Sequence, residues 1–356
     1  MTQNPHEIHW HSDDAPMAPG CLQCPDLKVC GGLRSKAGLS SCQDLCRCNA
    51  AQKRNVVCGC NARDLVCRLR EVNGWELDVP KVPKGSHADV SLFAPMIYGR
   101  CGRDSALLSE TVAIPLSRLF SLRTGRLNVK TRADICRQFL LDPRCQIILS
   151  GVHYDETLER YWSLGRRNDI VEAISQLGFD VITTPNFSLF PDVSRWDNLH
   201  NMKRIAICWQ ELAATGKQTA LHVNARTPRD YERWREFIVG HDEISTIATE
   251  FQTGAASPVR GRWHAGQLLN LSARVNRPLD LIIFGGRLHL KELTASFRRV
   301  THVSSTPYLR SVKQWKLRLD QPRRESWIRI KGKCNREELF TKNLAAYSSL
   351  ISSLVA

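Results

Sequence analysis

Beyond residue 90 the chain alternates between short apolar runs and amphipathic stretches. Nine runs have the length and residue types of strands: VSLFAPMIYG, TVAIPLS, CQIILSG, DVITT, RIAIC, TALHVN, ISTIATEF, LDLIIFGG and VTHVSS. Helical periodicity lies between them, over Asp155–Leu164, Arg167–Leu177, Trp196–Asn201 and Thr227–Val239. Because most runs are continuously apolar rather than alternating, they predict strands that are buried on both faces, as in a parallel sheet.

Strand–helix alternation over such a length predicts an α/β fold, with a TIM-like (β/α) barrel favoured over an open doubly wound sheet. No G-x-G-x-x-G follows an early strand and the chain has no G-x4-G-K-[ST], so dinucleotide-binding and P-loop folds lose support. The predicted organisation is a disordered N-terminus over residues 1–20, a Cys-rich metal module over 21–78, the barrel over 90–315 and a basic C-terminal extension over 316–356.

Fourteen cysteines are spread unevenly along the 356 residues, and nine of them fall in one short segment. The nine candidate metal ligands are Cys21, Cys24, Cys30, Cys42, Cys46, Cys48, Cys58, Cys60 and Cys67. Close spacing such as C-x2-C lets one turn aim two thiolates at the same centre, and the segment has too few apolar residues to form a core of its own. The pattern therefore predicts that metal ligation orders this segment.

The spacing favours iron–sulfur clusters and leaves zinc as the alternative. Zinc sites usually show two C-x2-C pairs and only Cys21/Cys24 has that spacing, whereas nine thiolates would serve two four-ligand clusters. The stretch GCLQCPDLKVCGG resembles the cysteine-rich loops that hold auxiliary clusters in radical-SAM enzymes.

A cytoplasmic protein is expected from the remaining composition. No apolar run approaches the roughly 20 residues that a membrane span needs, and the first residues, MTQNPHEIHWHSDD, lack the apolar core of a secretory signal. Structural disulfides are rare in that compartment, which is a further argument for metal at the cysteines.

The net charge of +15 is concentrated toward the C-terminus, where residues 291–342 hold 14 Lys/Arg against five Asp/Glu. A local basic excess favours a polyanionic partner, and nucleic acid is the partner predicted. The alternative is an ordinary solvated surface. The candidate nucleic-acid-binding residues are Arg298, Arg299, Arg310, Lys313, Lys316, Arg323 and Arg324. The Cys-rich segment is a candidate docking site for a protein partner.

Polar residues follow the apolar runs, at the strand ends where (β/α) barrels carry their chemistry. The candidate catalytic residues are Asp155, Glu250, His222 and Arg287. The candidate substrate-binding residues are His153, Asn186, Ser188, Asn224, Gln252, Gly285 and Gly286. Several have structural alternatives: Asp155 suits a helix start, His222 a barrel interior and the glycines a tight turn. The stretch TPRD, from Thr227 to Asp230, predicts a helix start and is assigned no chemistry.

The stretches IILSGVHYDETLERYW, VITTPNFS, ALHVNART, EFQTG and IIFGGR resemble two barrel groups. One is an uncharacterised family of phages and mobile elements. The other, more weakly, is the tRNA-guanine transglycosylase-like proteins, some of which insert deazaguanine bases into DNA. That resemblance implies a carboxylate nucleophile at Asp155 or Glu250 and a base-lining loop at Gly285–Gly286. Transglycosylases carry a zinc site after the barrel, whereas the cysteines here precede it.

Three functional hypotheses follow. The first is a base-exchanging or base-modifying, transglycosylase-like enzyme that acts on nucleic acid in a phage or defence context. The second is a non-enzymatic subunit of a phage or defence complex that binds nucleic acid or a nucleotide. The third is an iron–sulfur redox or radical-type enzyme.

Overall fold

The computed structural model describes residues 15–36, 38–45, 62–190, 193–321, 324–332 and 334–356. Eight strands form one parallel sheet in the order β1-β8-β7-β6-β5-β4-β3-β2. They are β1 Phe93–Pro95, β2 Thr111–Pro115, β3 Gln146–Ser150, β4 Val181–Thr183, β5 Thr219–His222, β6 Thr246–Phe251, β7 Asp280–Gly285 and β8 Arg299–Ser304. Each neighbouring pair is parallel, so all eight C-terminal strand ends lie at the same end of the sheet.

The two edges of this sheet meet, so the barrel is nearly closed. A parallel bridge joins Met96, just after β1, to Ala113 in β2, and the Ile97 N–H donates to the Ala113 carbonyl at 3.0 Å. The interior is packed with side chains, as in other barrels of this size. They are Ala94, Met96, Ala113, Ile148, Val181, Ala220, Ala248, Ile282, Phe284 and Val303. The predicted α/β class and barrel-like architecture are confirmed.

Helices surround the sheet, and the last of them lies beside β1, which no helix follows directly in the sequence. The helices are α1 Pro19–Leu22, α2 Leu27–Cys30, α3 Ala62–Val72, α4 Arg132–Phe139, α5 Asp155–Arg160, α6 Ile170–Ser175, α7 Arg195–Ala213, α8 Pro228–Gly240, α9 Pro258–Val275, α10 Leu290–Thr294, α11 Thr306–Val312 and α12 Arg336–Val355. Residues 96–110, all of which are described, form no helix after β1. Helix α12 packs against β1, and its Phe340, Leu350 and Ile351 are buried.

One of the nine predicted strands is wrong. The run RIAIC, residues 204–208, lies within the 19-residue helix α7, together with the stretch Trp196–Asn201 that was predicted as a helix by itself. Most residues of α7 are buried, so its sequence lacks the polar stripe that marks a surface helix. A short apolar segment such as residues 205–208 is compatible with a strand and with a buried helix alike. The other eight runs each overlap one of the eight strands.

The segment after the barrel continues the packed structure. Strands β9 Trp315–Gln321 and β10 Arg324–Arg329 form an antiparallel hairpin that lies against α12. Leu317 of β9 is buried, and its N–H donates to the Asn343 side chain of α12 at 2.8 Å. Among the residues with defined positions, none of the helices combines the length and the hydropathy that a membrane span requires.

Candidate functional site

A cavity of about 250 Å³ opens at the C-terminal end of the barrel. The loops that follow β4, β5 and β6 line it, together with the first turns of α9. Four of the residues that the strand-end rule selected lie in this cavity, hereafter the mouth pocket: Asn186, Ser188, Asn224 and Glu250. These four come together because neighbouring parallel strands end at the same edge of the sheet.

Two arginines of the mouth pocket were not predicted. Arg226 is half-buried and its Nε donates to the Leu189 carbonyl at 2.5 Å, while Arg260 donates to the Gly254 carbonyl at 3.0 Å. A Cβ at Gly254 would lie 2.9 Å from a terminal nitrogen of Arg226 and 3.3 Å from one of Arg260, so the two guanidinium groups approach the same point. Burial, and then the charge of Arg260, lowers the pKa of Arg226. Arg226 follows Asn224 by two residues, and this proximity is the signal that could have identified it.

Hydrogen bonds fix the amide side of the pocket. The Asn224 side-chain amide donates to the Asn186 side chain and to the Phe187 carbonyl, the latter at 2.8 Å. The Asn224 carbonyl accepts the indole N–H of Trp234 at 2.6 Å. The loops after β4 and β5 are therefore joined, which presents polar groups from fixed positions.

Glu250 is the carboxylate of the mouth pocket. Its side chain accepts the Gln252 N–H at 3.1 Å and the Thr253 hydroxyl at 2.8 Å, so it also shapes the turn after β6. Its negative charge acts on Arg226. Asp155, the other candidate carboxylate, is the first residue of α5 and does not line the pocket.

Four further candidates, at the ends of β6 and β7, do not line the mouth pocket. Gly285 and Gly286 have φ values of 77° and 68°, and a Cβ at Gly286 would lie 2.6 Å from the Phe251 ring, so both the turn and the packing require glycine there. Gln252 is exposed and lies over Gly285. Arg287 forms an ion pair at 2.5 Å with Glu325 of the β9–β10 hairpin.

Neither candidate histidine lines the mouth pocket. His153 contacts Tyr154 edge-on, and burial lowers the pKa of His153. His222 is fully buried inside the barrel, where its ring stacks on Phe284 with centroids 6.4 Å apart. Neither ring nitrogen of His222 has a hydrogen-bond partner among the described residues.

Burial lowers the pKa of His222 to about 3, which makes stability depend on pH. Below about pH 6.5 this histidine binds a proton in the unfolded chain but stays neutral in the folded barrel. The free energy of unfolding therefore decreases as the pH falls toward 3. We expect this histidine to contribute a loss of about 2 kcal/mol between pH 7 and pH 5. In urea unfolding, His222→Phe should remove that part of the pH dependence, and an unchanged slope would contradict the assignment.

The predicted nucleic-acid-binding residues do not lie on one surface. Arg298 precedes β8 and pairs with Asp280, and Arg299 begins β8 and pairs with Asp89. Both lie at the end of the barrel opposite the mouth pocket. Arg310 lies over the rings of Trp315 and Trp327, with its guanidinium carbon 5.3 and 5.4 Å from their centroids. Three others are on or near the hairpin: Lys313 and Lys316 are exposed, and Arg324 begins β10. Arg323 lies outside the described residues.

The nine candidate metal ligands are described only in part. Cys21, Cys24, Cys30 and Cys42 lie near one another, whereas Cys67 is exposed on α3. Cys46, Cys48, Cys58 and Cys60 lie outside the described residues. Within the described ranges, no group of three or more His, Cys, Asp or Glu side chains has an arrangement that could hold a metal ion.

Asp230 connects the cysteine segment to the mouth pocket. Its carboxylate is fully buried, forms an ion pair with Arg195 and accepts the Arg226 N–H at 2.8 Å. It also accepts the Thr227 N–H at 3.1 Å, which completes the capping box of α8 that the TPRD stretch predicted. Arg195 in turn contacts the Cys30 thiol, and buried Arg233 adds a further positive charge near Asp230. The helix start was predicted; the ion-pair cluster was not.

Comparison with protein-family models, with curated proteins and with solved structures finds no match for this chain. The resemblances drawn from the motifs therefore stay predictions. Because barrels of this type support many unrelated reactions, function has to be argued from the chemistry of the site itself.

Proposed function

We propose that the mouth pocket binds the phosphate group of a nucleotide-sized ligand. The observation that carries this proposal is the convergence of the Arg226 and Arg260 guanidinium groups at Gly254, inside a cavity at the C-terminal end of the barrel. An anion placed between the two guanidinium groups would interact favourably with both positive charges. Arginine is suited to this task because its planar group binds phosphate through two parallel hydrogen bonds.

The rest of the pocket supports a nucleotide rather than a bare phosphate. Asn186, Ser188 and Asn224 offer amide and hydroxyl groups of the kind that hydrogen-bond base edges and sugars. A cavity of about 250 Å³ is near the lower end of small-ligand pockets, so it suits a single nucleotide unit or a strand end. The net charge of +15 would draw such anions toward the protein. This agrees with the second of the three hypotheses, a nucleotide-binding barrel.

Removing one of the two arginines should weaken binding of a nucleoside monophosphate. We expect Arg226→Gln to raise the Kd about 10- to 100-fold, because a charge-assisted hydrogen bond contributes about 1.5–3 kcal/mol. Isothermal titration calorimetry with the four ribonucleoside monophosphates, and with inorganic phosphate, would measure this. Preference for a monophosphate over phosphate supports the nucleotide assignment.

Two glycines of the same region provide a matched comparison. A methyl group at Gly254 would lie between the guanidinium groups, so Gly254→Ala should also raise the Kd. Gly266, in α9, has open space around its Cβ position, so Gly266→Ala should leave binding unchanged. The proposal fails if no anion binds, or if Arg226→Gln and Gly254→Ala both bind as tightly as the wild type.

Base exchange is the second candidate function, and the presence of Glu250 in the same pocket favours it. A carboxylate oxygen could attack the sugar carbon while the base leaves with the electrons of the glycosidic bond, and an incoming base would then displace the carboxylate. Asp155 does not line the pocket, so this chemistry would depend on Glu250 alone of the two carboxylates.

A further inference from the structure

Four of the nine clustered cysteines gather at the start of helix α7. Cys42 packs against the small apolar cluster that contains Cys21. The Cys24 N–H donates to the Cys21 carbonyl at 3.2 Å, and Cys30 ends α2 in the same segment. We propose that these four thiols, in the spacing C-x2-C-x5-C-x11-C, are the ligands of one thiophilic metal centre, an iron–sulfur cluster or a zinc ion. Hereafter they are called the four-thiol site.

N–H groups point at three of the four sulfur atoms. The Leu33 N–H donates to Cys21 Sγ at 3.3 Å. The backbone N–H of Arg195, the first residue of α7, donates to Cys42, and the Arg195 guanidinium donates to Cys30. Hydrogen bonds of this kind stabilise the negative charge of metal-bound thiolates. A protonated thiol is a weak acceptor and gains little from them.

Charge balance points the same way. Arg195 and Arg233 are both buried, and both lie near the buried carboxylate of Asp230. The start of α7 adds the partial positive charge of a helix N-terminus. Four thiolates around a zinc ion, or around a common four-iron cluster, carry about two negative charges in total. The negative charge of such a centre would therefore lie next to a buried guanidinium group and the positive end of a helix, and both would stabilise it.

The cysteine segment also has little else to hold it together. Its own apolar cluster contains four buried residues, Ala18, Cys21, Leu33 and Leu45, and one of these is a proposed ligand. Its α1 and α2 helices are each four residues long, too short to be stable by themselves. The described cysteines are free thiols, so no disulfide replaces the metal there. Ligation would supply the missing stability, and the metal would draw the four side chains into a closed set.

Metal analysis of the full chain, purified without oxygen, tests this proposal. We expect about four iron and four sulfide with absorbance near 400 nm, or about one zinc without colour. Each of Cys21→Ser, Cys24→Ser, Cys30→Ser and Cys42→Ser should reduce bound metal roughly tenfold or more. Cys136→Ser, which changes a partly exposed cysteine of α4 that is not a candidate ligand, is the control and should keep its metal.

Thiol protection provides a second measurement in case the serine variants do not fold. In the wild-type protein the four thiols should resist iodoacetamide until a chelator removes the metal, as mass spectrometry of the labelled peptides would show. The proposal is overturned if the wild type holds no metal after reconstitution with iron and sulfide or with zinc. It is equally overturned if Cys136→Ser loses as much metal as the other four, or if metal leaves the labelling of the four thiols unchanged.

Discussion

Replacing Asp230 by asparagine should lower the free energy of unfolding by about 3–5 kcal/mol, because it leaves buried arginines without their counter-charge. Asp230 is the buried carboxylate shared by Arg195 and Arg233, and it also accepts two backbone N–H bonds at the start of α8. Asparagine has nearly the same shape and retains one acceptor oxygen, so the loss would come from charge rather than from packing. Urea unfolding at pH 7 measures it.

The pH dependence of the same variant provides an independent check. Burial alone would raise the pKa of Asp230, but the Arg195 charge and the hydrogen bonds outweigh burial and lower the pKa below its usual value. The resulting stability is fully present above about pH 4 and is lost as the pH falls through the lowered pKa. Asp230→Asn should therefore remove an acid-sensitive part of the unfolding curve. A loss below about 1 kcal/mol at pH 7 would mean that other groups already neutralise the arginines.

A surface ion pair serves as the control for this experiment. Glu338 and Lys342 are exposed neighbours on α12 whose side chains lie 2.5 Å apart. Water screens pairs of this kind and they contribute little to stability. Glu338→Gln should therefore leave the urea midpoint close to that of the wild type, although it removes one carboxylate charge as Asp230→Asn does.

The architecture could be predicted because its signals are local. A strand buried on both faces needs a continuous apolar run, and eight such runs were visible between helices. The failure at RIAIC has the same cause, since burial on all sides of α7 removes the polar stripe that distinguishes a helix. Where an element is wholly buried, apolar residues alone do not tell the two structures apart.

The mouth pocket could be predicted only as far as strand ends define it. The rule selected Asn186, Ser188, Asn224 and Glu250 because each lies at or just after the end of a strand, at the same end of the barrel. It does not say which side of the strand a residue faces, so His222 was selected although its ring lies inside.

Other residues depend on contacts between distant parts of the chain. Arg287 pairs with Glu325, a hairpin residue 38 positions further along the sequence, and no local pattern indicates this. Arg226 lies in the loop after β5 and Arg260 in the first turn of α9, and the two side chains meet at Gly254. The Arg195–Asp230 pair likewise joins the starts of α7 and α8. Long-range ion pairs of this kind are set by tertiary packing, which periodicity and spacing do not encode.

Base exchange, if the mouth pocket performs it, should be lost in Glu250→Gln. Under that hypothesis the carboxylate is the nucleophile, and an amide cannot replace it, so turnover should fall at least about a hundredfold. Release and incorporation of labelled bases in DNA and RNA substrates, followed by mass spectrometry, would measure the change. The glutamine side chain can still accept the Thr253 hydroxyl, so the melting temperature should change little.

Asp155→Asn is the informative comparison for this prediction. Asp155 lies at the start of α5, outside the mouth pocket, so its change to asparagine should leave turnover intact. Loss of turnover in Asp155→Asn, with Glu250→Gln still active, would place the chemistry elsewhere on the barrel. A large fall in melting temperature for Glu250→Gln, with activity kept in the folded fraction, would make Glu250 a structural residue of the turn after β6. In that case the nucleotide-binding proposal would still stand, because it depends on Arg226 and Arg260 rather than on this carboxylate.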